Sequence, residues 1–317
     1  MGKRNKVTII GAGATGTQMA QLIAMKGLAD VVLVDLVLGV AKGKARDLGQ
    51  ACALYSSDVK IVGTGLDEWG PTEGSDIIVN TAGAPRKPGQ TREELAAFTV
   101  EVLKKTVKPA TERSPNAVYL GFTNPMDAAT QIAMEISGFP PERVVGQGGM
   151  LDTARFRYFL ADELHAEMED IQDAMVLGGH TERDMVPIVS LVRYRPMSFG
   201  FVNALFPHDK IATAVERTRN GGKEIVDLMG VSAAFAPAAA TVRMVELILQ
   251  DDRSDVVPCS VYYEPKKAFV GLPVRLGRER VMIAEDFFDM INPVERAAVL
   301  AAADATRALV EEMRKSL

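Results

Sequence analysis

The chain has 317 residues, 36 Lys+Arg against 41 Asp+Glu and a net charge of −5, so it lacks the basic balance of a nucleic-acid binder. Its 47% hydrophobic and 24% charged residues are those of a folded globular protein, and the length favours about two domains. Two cysteines, Cys52 and Cys259, are too few and too far apart for a disulfide framework.

The basic start Met1–Lys6 is followed by apolar Val7 to Ile10, but Gly11-Ala12-Gly13 cuts that run short of a signal peptide. No stretch of about 20 uncharged apolar residues is present to span a membrane. The expectation is a cytoplasmic protein with neither membrane nor nucleic acid as partner.

Val7–Ile10 reads as a strand, Thr17–Lys26 as a helix and Val31–Val34 as the next strand. Residues 39–55 read as a helix because Ala41, Ala45, Leu48 and Cys52 recur on one face. Strands at Val59–Val62, Ile77–Asn80, Val118–Gly121 and Val144–Val145 follow, with helices near 91–113 and 126–137 between the later ones. Continuous β-branched runs alternating with helices predict a doubly wound α/β half whose parallel sheet is buried on both faces. Further on, Thr153–Leu164 reads as a helix and Ala174–Leu177 as a strand ending in Gly178-Gly179-His180. Helices near 209–228 and 236–250, a hairpin of Val256–Tyr263 and Phe269–Leu276, and a last helix near 293–315 complete a less regular second half. No repeat or linker separates the halves, which are expected to pack directly together.

Gly11-Ala12-Gly13-Ala14-Thr15-Gly16 has the G-x-G-x-x-G spacing between a strand and a helix, the context of a dinucleotide-binding turn. The first glycine permits the turn, the second lets backbone approach pyrophosphate, and the third lets helix and strand pack closely. Phosphate then sits on the free N–H groups of the helix N-terminus. Asp35, at the end of the second strand, can accept hydrogen bonds from a ribose 2′-hydroxyl and repel a 2′-phosphate. No Arg or Lys occurs in Leu36 to Ala41, so NAD is preferred over NADP.

Three histidines occur. His165 lies at a polar helix end and reads as a surface residue; His208 sits beside Asp209, which reads as a helix N-cap. His180 follows a strand through two glycines, which leaves an imidazole at an open strand end, suited to acid–base work near neutral pH. Asp152 and Arg155 are three apart and share a helix face. As a surface ion pair they would contribute little, whereas a buried Asp would orient an imidazole and the Arg fork would grip a carboxylate. The loop Ala82–Arg92, rich in Gly, Pro and Arg, follows the fourth strand where open sheets bind ligands, and suits a lid. No His/Cys cluster has metal-ligand spacing.

Together these segments resemble the lactate/malate dehydrogenase family, within it the lactate-dehydrogenase-like malate dehydrogenases of bacteria and archaea, over nearly the whole chain. The resemblance rests on Gly11–Gly16 with Asp35, Arg86-Lys-Pro-Gly with Thr91-Arg92, Thr123-Asn-Pro-Met-Asp127, Leu151-Asp-Thr-Ala-Arg-Phe-Arg157, Gly178-Gly-His180 with Met185-Val-Pro187, and Ser232–Ala239. It implies a Rossmann-type doubly wound parallel sheet over residues 1–146 and an α+β substrate domain over 147–317. It implies His180 as acid–base catalyst with Asp152 as its partner, Arg155 on the carboxylate beside the reacting carbon, and Arg92 on the carbonyl. It further implies Asn124 at substrate and cofactor, with Gly11, Gly13, Ala14, Thr15, Gly16, Asp35, Thr99 and Thr123 along NAD. Arg86 stands where the family chooses its substrate and pairs with the second carboxylate of malate or oxaloacetate. Pyruvate would leave a buried Arg86 unpaired, a penalty on the order of 3–5 kcal/mol, or roughly two to four powers of ten. Relatives form dimers and tetramers, so a homodimer or homotetramer is expected, with helix 39–55 as part of its interface.

The chain departs from the family pattern in three places. His180-Thr-Glu-Arg-Asp184 is one residue longer before Met185 and lacks the glycine after the histidine; the intact strand side predicts an outward bulge. Thr99 stands where asparagine is usual and Phe122 where valine is usual. Two alternatives stay open: a dehydrogenase of another 2-hydroxy acid such as lactate, and an NAD-binding protein without turnover.

Overall fold

The computed structural model describes residues 4–83, 92–195 and 207–317. Strands β1 (Lys6–Ile10), β2 (Asp30–Asp35), β3 (Ile61–Gly65), β4 (Ile77–Asn80), β5 (Val118–Gly121) and β6 (Val144–Gly146) pair in parallel in the order 3-2-1-4-5-6. That is the doubly wound dinucleotide-binding order, and its switch point lies between β1 and β4. Alternation along each strand divides the core: Val7, Ile9, Val31, Leu33, Ile77 and Val79 join one buried cluster, while Ile10, Val32, Val34 and Ile78 join another. Both faces are covered by helices, among them α1 (Ala14–Met25), α2 (Leu38–Tyr55), α3 (Arg92–Arg113) and α4 (Met126–Ser137).

Past β6 the chain enters α5 (Gly149–Leu164), the two-residue strand β7 (Ile171–Gln172), and a tight pair of β8 (Val176–Gly178) and β9 (Met185–Pro187). After β10 (Arg193–Tyr194) come α6 (His208–Met229) and α7 (Phe235–Gln250), then the expected hairpin of β11 (Val257–Tyr263) and β12 (Ala268–Arg275). Strand β13 (Met282–Ile283), the single turn α8 (Glu285–Phe288) and α9 (Pro293–Arg314) finish the fold. Antiparallel β11 meets β6 at Ser260 and Gly146, so one sheet runs from the first half into the second.

Several expected boundaries move. Strand β3 begins two residues late and runs through Gly63-Thr64-Gly65, because Gly63 lies flat on α2, where a Cβ would come 2.3 Å from Ala41 backbone. Helices α1 and α5 begin earlier than their apolar repeat, at Ala14 and Gly149, since their first turns carry glycine and polar residues that answer to the site. Strands β7, β9, β10 and β13 have two or three residues, too short for a periodic signal. Asp209 is not a cap: Pro207 is the N-cap of α6 and its carbonyl accepts the amides of Lys210 and Ile211, with Asp209 inside the first turn. Among the described residues no helix is long and apolar enough to cross a membrane.

Candidate active site

The glycine-rich turn joins β1 to α1. Gly11 has φ +100°, a conformation that favours glycine, and a Cβ on Gly16 would fall 2.0 Å from the Gly11 carbonyl oxygen. Gly13 is exposed, with nothing within 4 Å of its Cβ position, and no side chain caps α1. First-turn amides of a helix have no intrahelical acceptor, so Ala14, Thr15 and Gly16 present N–H groups to an anion. This backbone fits a pyrophosphate.

Asp35 accepts the Ala12 amide on Oδ2 at 2.8 Å and the Val37 amide on Oδ1 at 2.9 Å. These bonds fix the carboxylate beside the turn, and each oxygen keeps a lone pair for a ribose hydroxyl. A crevice of about 450 Å³ adjoins it, lined in part by Leu36, Leu38, Leu66 and Lys105.

In the second half, His180 follows β8, and its Nδ1 lies 2.6 Å from Asp152 Oδ2. Asp152 is 1% exposed in the first turn of α5, and its Oδ1 accepts Arg155 Nη1 at 3.2 Å. Arg155 Nε is buried without a hydrogen-bond partner among the described residues. The pair is therefore no solvated surface bridge: one carboxylate serves both the imidazole and the guanidinium, and the Arg fork retains donors for another carboxylate. Burial alone would lower the His180 pKa, but the charge and hydrogen bond of Asp152, helped by Asp127 and opposed by Arg155, hold it above the ordinary histidine value.

The residues after His180 form a closed turn. The Thr181 carbonyl accepts the amides of Asp184 and Met185, and the Thr181 hydroxyl donates to Asp184 Oδ2 at 2.5 Å. The Asp184 carbonyl in turn accepts the Gly179 amide at 2.8 Å. Residues 181–183 are exposed, and the imidazole stays on Asp152.

Asp127 was visible in a motif but carried no expected role. It is buried in the first turn of α4, where Oδ2 accepts the His180 amide at 2.9 Å and Oδ1 accepts the Ser260 hydroxyl at 2.6 Å. Burial pushes its carboxyl above the ordinary range, resisted by Ser260 and by the amide and charge of His180. Through Asp127, the segment carrying Asn124 is tied to the loop carrying His180.

Asn124 is exposed, while Thr123 is buried with its hydroxyl donating to the Ala82 carbonyl at 2.7 Å. Thr99 is buried behind Asn124, its hydroxyl 3.5 Å from that residue's carbonyl. Gln147, just before α5, donates to the Pro237 carbonyl at 3.4 Å and so ties the start of α7 to this region. Arg86 lies outside the described residues, and Arg92 is described only as the first residue of α3. His165 and His208 are exposed at helix ends. Cys52 and Cys259 are buried, and burial raises the Cys259 thiol, so the reactive thiolate is suppressed. No group of three or more His, Cys, Asp or Glu among the described residues could hold a metal.

Family models match both halves: lactate/malate dehydrogenase, NAD binding domain, over residues 5–146, and lactate/malate dehydrogenase, alpha/beta C-terminal domain, over 149–316. Malate dehydrogenase of Thermomicrobium roseum is 44% identical over 317 residues, spanning 98% of this chain and 99% of that protein. The structure of malate dehydrogenase from Picrophilus torridus superposes with a TM-score of 0.91 at 34% identity, over 99% of this chain and 98% of that one. Cryptosporidium parvum lactate dehydrogenase, solved with lactic acid and nicotinamide adenine dinucleotide, gives 0.88 at 30% identity, over 99% of each chain. Matched in both halves and by full-length relatives, the chain belongs to the lactate/malate dehydrogenase family.

Proposed function

We infer that the protein is an NAD-dependent malate dehydrogenase, interconverting malate and oxaloacetate, with residues 1–146 as cofactor domain and 147–317 as substrate domain. The observation that carries the reading is His180 Nδ1 at 2.6 Å from the buried Asp152 carboxylate, with Arg155 beside it. Full-length relatives that bear the malate dehydrogenase name support the choice of substrate.

Ionised Asp152 accepts Nδ1–H and leaves Nε2 as the atom that exchanges a proton. In malate oxidation neutral His180 takes the hydroxyl proton at Nε2; in oxaloacetate reduction protonated His180 returns it to the carbonyl oxygen. Bound NAD supplies the hydride acceptor, and NADH the donor. Arg155 holds the carboxylate next to the reacting carbon with its free donors, and Arg92 stabilises developing charge on the carbonyl oxygen. Arg86 pairs with the second carboxylate. Asn124 touches substrate and cofactor; Gly11, Gly13, Ala14, Thr15, Gly16 and Asp35 hold the adenosine and pyrophosphate side, with Thr99 and Thr123 toward the nicotinamide.

We place the enzyme in the cytoplasm as a homodimer or homotetramer. Apolar Leu38, Val40 and Leu54 on α2 are exposed and support a contact between copies there, which the molar mass in solution checks.

NADH oxidation with oxaloacetate and with pyruvate tests the substrate assignment. An efficiency at least about a hundredfold higher with oxaloacetate is expected from Arg86. Preference for pyruvate moves the protein to lactate-like chemistry, and silence with both despite NADH binding makes it a binding protein.

A further inference from the structure

A half-buried cation stands beside the glycine-rich turn with no assigned task. Lys44 of α2 is partly buried, and its Nζ donates to the Ala12 carbonyl at 2.6 Å. No carboxylate of the described residues pairs with it. That carbonyl occupies one of the three ammonium donors and leaves donors for an anionic ligand. The Ala12 amide is held by Asp35 Oδ2 at 2.8 Å, so a carboxylate and an ammonium hang on the two peptide groups of one residue. That residue lies at the ribose end of the turn, ahead of the Gly13 backbone that fits pyrophosphate.

We propose that Lys44 is a cofactor-selectivity residue: its ammonium, held on the Ala12 carbonyl beside Asp35, is the cation that a 2′-phosphate meets, so refusal of NADP is set by Asp35 against Lys44. The inference rests on the reading of Gly11–Gly16 with Asp35 as the dinucleotide site. Residues 36–41 hold no Arg or Lys, which leaves the task to the helix that follows. Lys42 is exposed and, two positions away, does not share Lys44's face. Lys105 lines the neighbouring crevice, but no hydrogen bond ties it to the turn. An ammonium stabilises a 2′-phosphate where Asp35 repels it, and NADH, lacking that phosphate, feels neither effect there.

The test is the ratio of the NADPH to the NADH dissociation constant, measured by calorimetric titration without substrate. Asp35→Ser should lower the ratio, shifting preference toward NADPH. Lys44→Met should raise it at least tenfold in the wild-type or Asp35→Ser background, and Lys44→Arg should restore it. Parallel weakening of both cofactors would make Lys44 a clasp on the loop and overturn the proposal. So would an unmoved ratio, or a larger shift from Lys105→Met. Failure of the unaltered protein to bind NADH overturns the site reading itself and the proposal with it.

Discussion

The glycine-rich turn and the His180 cluster are built from different materials. The turn, Gly11 to Gly16, offers the first-turn amides of Ala14, Thr15 and Gly16 and needs one side chain, Asp35, itself held by two amides. The cluster draws side chains from α4, α5, β11 and the loop after β8, and it buries two carboxylates against a guanidinium and an imidazole. A backbone site tolerates most side-chain changes and fails where a Cβ intrudes. A cluster of buried charges fails when any one partner is removed, because the remaining groups are left desolvated and unpaired.

That contrast can be broken in order of expected effect. Asp152→Asn should lower kcat for oxaloacetate reduction by about 10²- to 10⁴-fold, through loss of the tautomer and of the charge that holds His180. Because Asp152 raises the His180 pKa and reduction needs protonated His180, the pH above which reduction fails should move down in the variant. The pH at which malate oxidation begins should move down with it, and pH profiles in both directions check the sign.

Gly16→Ala should destabilise the fold by about 3 kcal/mol or more, since its Cβ would fall 2.0 Å from the Gly11 carbonyl oxygen; denaturant unfolding reads this. Ser260→Ala should cost about 1–3 kcal/mol by removing a donor from buried Asp127, again by denaturant unfolding. Gly13→Ala is the converse of Gly16→Ala. With open space at its Cβ position, stability should change by less than about 1 kcal/mol, while titration should find NADH about tenfold to a hundredfold weaker. Equal stability loss at both glycines would end the distinction between a packing glycine and a ligand-facing one.

The same difference governs what could be read from sequence. The turn and Asp35 lie within one strand–helix–strand stretch, so spacing alone exposed them, as alternation exposed β1, β2, β4 and β5. Asp152 with Arg155, and His180 behind two glycines, were legible through local geometry. The bonds that join these pieces were not. Asp127 and Ser260 are 133 positions apart, and Asp127 reaches His180 across 53. Nothing in spacing brings such residues together; strand β11 does, by docking Ser260 against Gly146. Lys44 escaped notice because a helix surface lysine looks solvated until the fold lays a carbonyl against it.

The most direct test of the account is one variant measured two ways. His180→Asn should lose turnover of oxaloacetate on the order of 10³-fold. Its NADH dissociation constant should change by no more than about twofold, because His180 is not among the residues assigned to the cofactor. Undiminished turnover would remove His180 from the proton-transfer role, and loss of NADH binding in parallel with turnover would contradict the separation of a backbone-built cofactor site from a side-chain-built proton site.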